Sequence, residues 1–253
     1  MTRLNLNTVR PTYDGKPPPH TRREAFDAAA TIETFFDEHA ERFAALAREA
    51  DFVVGCMAWL TSRTVLQALA ATKHGCQIVV QKEDHLRPGV IGKEELLAMY
   101  SRLRCPDRMC LPAGAAELSF GGDPSVDAVR CMGICSSRPS QIVPRMHHKF
   151  FVFFRAHEIR ETCEVYGVPF PVDGESLEAT PYEAVYERYI PYRVWTGSYN
   201  ATENAARSRE NVAIITSDVI AAQYANEWSE IFALSEPLDW TSRDVEPEWR
   251  IGS

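Results

Sequence analysis

Apolar positions along this chain form two kinds of pattern, one with a helical period and one unbroken. Ile32, Phe35, Phe36, Phe43, Leu46 and Ala50 recur at helical spacing and predict an amphipathic helix over 26–50. Directly after it, Phe52-Val53-Val54-Gly55-Cys56-Met57-Ala58-Trp59 is continuously apolar, as expected of a strand covered on both faces. Ser62 is placed to cap a helix running through Thr72, and Gly75 to end it, before a second buried strand at Ile78-Val79-Val80. Strand, short helix and strand in this order imply a parallel pair joined by a right-handed crossover.

The same reading predicts helices over 94–103, 201–208 and 219–232, and strands over 126–134, 146–154 and 211–215. The fold class is α/β. Residues 155–190, with Pro169, Pro171 and Pro181, show no clear period and read as a long irregular segment, a kind that is usually functional or partly structured. Residues 1–25, bearing Pro11, Pro17, Pro18 and Pro19, are expected to form an arm. Residues 26–234 then make one domain with an acidic insertion at about 156–190, and 235–253 form a proline-bearing acidic tail.

Composition narrows the setting. With 253 residues, 45% of them hydrophobic, the chain can bury a sizeable core. No apolar run approaches the roughly 20 residues that span a bilayer, and the first 23 residues lack a signal-peptide core, so a cytoplasmic protein without membrane contact is expected. Seven cysteines, an odd number, suit reduced thiols. Cys105-x4-Cys110 and Cys131-x3-Cys135 do not have the usual zinc spacings and read better as small buried thiols.

A net charge of −8 argues against a general nucleic-acid binder, but the distribution reverses this locally. Residues 128–157 contain no acid, while Arg130, Arg138, Arg145, Lys149 and Arg155 and three histidines fall there. From 158 to 188 eight acids stand against Arg160 and Arg188. A basic stretch is followed by an acidic one that would act as a like-charged flap if it lay across the site.

Inside the acid-free window, His147 and Lys149 are two residues apart at the head of an apolar run, so on a strand imidazole and ammonium project into one pocket. His148 points to the other face and reads as structural. Gly197-Ser198-Tyr199-Asn200 adds a hydroxyl, an amide and a tight backbone able to present N–H groups to an anion. Asn200 also suits the cap of a following helix, and Glu210 suits a surface pair with Arg207 or Arg209. A nucleophile or base, a cation and neutral donors together fit a phosphoryl group.

In their order these residues resemble the phospholipase D superfamily, whose motif is His-x-Lys, an Asp five residues on, and then Gly-Ser-x-Asn. The nearest look is to its single-motif bacterial endonuclease branch, which also has Glu-Asn before an apolar strand, here Glu210-Asn211. Two departures stand out: Phe154 occupies the place of the motif's Asp, and the acidic segment lengthens the spacing to Gly197. The resemblance implies a mixed sheet flanked by helices on both faces and a metal-independent nuclease with no cofactor.

It further implies that one His147 attacks phosphorus while a second protonates the leaving oxygen and then activates water. Lys149, Ser198 and Asn200 would hold the non-bridging oxygens and Glu210 would orient a histidine. Arg145, Gly197, Tyr199 and Trp195 would line the substrate, the two aromatics stacking on a base or ring. One motif per chain then implies a homodimer with the site across its two-fold axis. Nucleic acid, DNA before RNA, is the expected substrate, and a partner in a phage-defence system belongs to the same picture. An inactive phosphate-binding relative, a phospholipid enzyme and a small-molecule phosphodiesterase are the alternatives.

Overall fold

The computed structural model describes residues 6–8, 24–105, 127–136, 143–166 and 179–246. Seven strands build one mixed sheet: β1 (Thr31–Phe35), β2 (Phe52–Met57), β3 (Cys76–Gln81), β4 (Val129–Met132), β5 (Lys149–Tyr166), β6 (Ala179–Gly197) and β7 (Val212–Thr216). Their order across the sheet is β1-β7-β6-β5-β2-β3-β4. β2, β3 and β4 run parallel, and the remaining pairs are antiparallel. The helices α1 (His39–Glu49), α2 (Arg63–Ala70) and α3 (Glu94–Tyr100) cover one face with Phe43, Leu46, Val65, Leu69 and Tyr100. On the other face, α4 (Asp218–Ala233) buries Ala221, Ala225, Trp228 and Phe232. The expected α/β class, with helices on both faces of a mixed sheet, is what the chain adopts.

The β2-α2-β3 unit follows the sequence reading closely. Both strands are buried at every position, and the Ser62 side chain caps α2 by accepting from the Val65 amide. Gly75 turns the chain into β3 at φ 89°, where a Cβ would lie 2.1 Å from the Arg104 carbonyl oxygen, so no other residue fits.

Three expectations are corrected. The helix over 26–50 is instead β1 followed by α1, because the β-branched Thr31, Ile32 and Thr34 pair antiparallel with β7. Ile32 and Phe36, which completed the apparent helical stripe, are 63% and 71% exposed. The stripe that is buried is His39, Ala40, Phe43, Leu46 and Ala47. The helix over 201–208 shrinks to a single 3-10 turn at Ala205–Arg207, where Thr202 Oγ1 accepts from the Ala205 amide and competes with helical bonding.

The third correction concerns 155–190. Here β5 and β6 continue as a two-stranded ribbon, paired from Phe154↔Pro191 out to Tyr166↔Ala179 beyond a register shift at Phe153/Phe154. Its described outer positions mostly face water on both sides, so no apolar period marked it. β2 begins opposite Phe154 and β7 ends opposite Arg193, so among the described residues neither outer edge of the ribbon has a neighbouring strand. Lys149 and Gly197 lie at the other end of these strands, about 17 Å away at some 3.4 Å per residue. The described parts of the acidic segment therefore lead away from the His147–Lys149 end instead of lying across it.

Described residues beyond 234 also pack against the sheet. Glu236 exchanges main-chain bonds with Cys131 at 2.8 and 2.7 Å, and its carboxylate pairs with the fully buried Lys82. Lys82 Nζ also donates to the carbonyls of Ser242 (3.1 Å) and Asp244 (2.6 Å), beside the face of buried Trp240. Cys131 and Cys135 are buried free thiols, while Cys110 lies outside the described residues. Among the described residues no group of three or more His, Cys, Asp or Glu could hold a metal, and no helix is long and apolar enough to cross a membrane.

Removing one partner of the buried pair leaves the other charge without compensation. Glu236→Ala is expected to cost about 3–5 kcal/mol in urea unfolding, and Lys82→Met combined with Glu236→Leu to recover most of it. An unchanged midpoint in the single variant would mean that the tail does not hold the domain.

Candidate active site

Register brings the candidate residues to one end of the sheet. Lys149 lies opposite Met57, Phe150 opposite Thr196, and Gly197 opposite Val212, so the starts of β5 and β7 and the ends of β2 and β6 adjoin. The Ala58 amide donates to the His148 carbonyl at 3.0 Å and fixes the approach to β5. The Thr61 and Ser62 amides donate to the Ala201 carbonyl at 2.7 and 2.8 Å, tying the Gly-Ser-x-Asn turn to the segment after β2.

The turn itself is closed by the segment before β7. The Ser198 amide donates to the Asn211 carbonyl at 2.9 Å, the Asn211 amide donates to Ser198 Oγ at 3.0 Å, and Ser198 Oγ donates to Glu210 Oε2 at 2.5 Å. A Cβ at position 197 would meet the Asn211 carbonyl oxygen at 2.1 Å, which explains the glycine. Asn200 does not cap a helix; its carbonyl accepts from the Thr202 amide, and its Oδ1 is buried without a hydrogen-bond partner.

Lys149 Nζ stands 3.3 Å from each ring nitrogen of His147 and 2.9 Å from the His147 carbonyl oxygen. Partial burial, and then the charges of Lys149, Arg145 and His148, hold His147 below the ordinary histidine range. Burial also lowers Lys149, opposed by the Glu210 carboxylate. The ring is therefore neutral near pH 7, the state a nucleophile or general base requires, with a cation beside it.

Other sequence candidates take different places. Arg145 is paired with Glu83 at 2.6 Å. His148 points to the opposite face and meets Glu227 of α4 at 3.4 Å. Glu210 accepts from the Ser198 hydroxyl, not from a histidine ring. Trp195 and Tyr199 are each 1% exposed and packed in the core, so neither ring is open to a substrate. Phe154, in the place of the motif's Asp, is buried at the far end of the β2-paired part of β5 and touches none of these groups.

Two residues at the site escaped the sequence reading. Trp59 is partly exposed, stands edge-to-face to His147 with centroids 5.5 Å apart, and has Lys149 Nζ 5.9 Å from its ring centre. It lies two residues beyond Met57, the partner of Lys149, which was the available signal. His39 stacks on Tyr199 at 4.7 Å and 11°. Its spacing to Phe43, Leu46 and Ala47 placed it on the buried stripe of α1, but a polar residue does not register in an apolar count.

No family model matches the chain. An uncharacterized protein, L381 of Acanthamoeba polyphaga mimivirus, is 28% identical over 232 residues, covering 84% of this chain and 69% of that protein. Among solved structures, the chain is similar to Nuc from Salmonella typhimurium, a phospholipase D family member. That similarity has a TM-score of 0.43 and 12% identity, and covers 82% of this chain and 97% of Nuc. NucT from Helicobacter pylori gives a TM-score of 0.47 and 10% identity over 81% of this chain and 98% of NucT.

Proton NMR of the His147 ring should show titration below about 6.5, the ordinary histidine value. Lys149→Met and Arg145→Ala should each move it up by removing a charge that opposes protonation. A ring that titrates at or above the ordinary value would contradict the electrostatics of the site.

Proposed function

We propose that this chain is a phosphodiesterase using phospholipase D-type chemistry, and that its substrate is a nucleic acid, DNA in preference to RNA. The observation that carries the reading is the convergence of His147, Lys149, Ser198 and Glu210, delivered by separate strands, at one open end of the sheet. Beside these groups Lys149 and Arg145 bring positive charge for a polyanion, the latter paired with Glu83. Because the acidic ribbon leads away from this end, nothing in the described fold reserves the site for small substrates.

In the proposed reaction a neutral His147 nitrogen forms a bond to phosphorus as the bond to the leaving oxygen breaks. The leaving oxygen takes a proton from the imidazolium form of a second copy's His147, the less populated state of that ring near pH 7, so turnover would fall as pH rises further above its lowered pKa. That second ring, now neutral, removes a proton from water as the hydroxide displaces the phosphohistidine, and the first His147 is regenerated. Lys149 would balance charge on the non-bridging oxygens, with Asn200 and the Ser198 hydroxyl as neutral donors. In the resting structure Glu210 takes the single Ser198 hydroxyl proton, so Ser198 would serve as a donor only when that proton turns from the carboxylate to the phosphate. One chain carries one such histidine, so a symmetric homodimer completes the unit. The chemistry asks nothing of a metal or cofactor.

Purified protein is expected to cleave single- or double-stranded DNA, and more slowly RNA, with EDTA present throughout; a strict requirement for a divalent ion would sink the mechanism. His147→Ala should abolish turnover while the dimer persists in sedimentation. Undiminished turnover would move the nucleophile elsewhere, and a monomer at working concentration would remove the composite site.

A further inference from the structure

The Ser198–Glu210 half of the site is held from below by a residue that the proposed chemistry does not use. His39, the first residue of α1, is 5% exposed, and its ring lies flat on Tyr199, the residue between Ser198 and Asn200. It faces the Glu210 and Asp37 carboxylates and the Arg42 guanidinium, and its ring lies beside the Glu210 main chain. Phe35 closes the remaining side at 6.3 Å.

Two further observations show that this placement is costly. His39 Nε2 is buried with no hydrogen-bond partner. A phenyl ring would stack on Tyr199 without leaving a polar atom orphaned. Directly before it, Glu38 adopts φ 49° and ψ 32°, the one non-glycine residue in the left-handed region among those described, and its side chain makes no cap. A strained backbone beside a buried histidine with an orphaned ring nitrogen points to function in preference to packing.

We propose that His39 is a positioning residue for the candidate site: it wedges beneath the Gly-Ser-x-Asn turn and, through the Glu210 main chain, holds Glu210 against the Ser198 hydroxyl. The inference rests on the phosphodiesterase reading for its effect on turnover, but not for its effect on structure. Burial is the largest influence on His39 and lowers its pKa, with Glu210 and Asp37 opposing. The native ring thus resists protonation, and its contribution to stability is present above the unfolded value of about 6.5 and is lost as pH falls below it.

The test is His39→Phe, which keeps the stack and removes the nitrogens. It is expected to fold, to melt at or above the parent temperature, and to hold that advantage increasingly as pH falls from 8 to 5. Its kcat should drop by about 10- to 100-fold with little change in KM, the scale of a small misplacement of reacting groups. Adding Ser198→Ala should cost less in the His39→Phe background than in the parent, because both act through one unit.

Independently of turnover, hydrogen exchange at the Ser198 and Asn211 amides, whose bonds close the turn, should quicken by about 10-fold. Parent-like exchange at both amides, or parent-like kcat in His39→Phe while His147→Ala is inactive, overturns the role of His39. Full activity in His147→Ala overturns instead the site reading, and the exchange measurement still decides the positioning role.

Discussion

The register of β5 against its two neighbours is the constraint on which the rest of the molecule depends. Side chains on a strand alternate strictly, so a shift of one residue would exchange every inward position for an outward one. In the observed register Lys149, Phe151 and Phe153 face α1 and α2, while His148 looks towards α4 and Phe150, Val152 and Phe154 pack beneath it. Hydrophobic packing on both faces, with six of the largest buried side chains being phenylalanines, makes any other register expensive. The core thereby specifies which of two adjacent histidines meets Lys149.

Parts of this were legible in the sequence for definite reasons. β2 and β3 are buried on both sides, and an unbroken apolar run with capping and terminating residues around the helix between them has few other readings. The His147–Lys149 pair and the Gly197–Asn200 turn were legible because their roles depend on short-range spacing. What was hidden depends on long-range placement. β1 is an exposed edge whose partner lies about 180 residues later, so Ile32 and Phe36 imitated a helix that does not form. Tyr199 and Trp195 sit beside motif residues in sequence, yet alternation sends their rings into the core. Trp59 and His39 reach the site only through tertiary packing.

Two lysines of the molecule sit in opposite settings. At the starts of β5 and β7, Lys149 is partly exposed beside the neutral His147 ring. Behind β4, by contrast, Lys82 and Glu236 are sealed together with the carbonyls of Ser242 and Asp244. One cation is left partly exposed and available; the other is committed fully to holding the tail against the sheet.

The ribbon formed by the outer halves of β5 and β6 has a colloidal consequence. Two bare strand edges running side by side are a template on which another chain can grow as an added strand. Five acids, Glu158, Glu161, Glu164, Glu183 and Glu187, lie on the described strands of this arm, and Glu158 even stands opposite Glu187, a like-charge pairing that slightly weakens the arm itself. That arrangement makes sense as electrostatic insulation. Copies approaching edge to edge would repel one another before their backbones could pair, so charge on this arm opposes strand-to-strand growth.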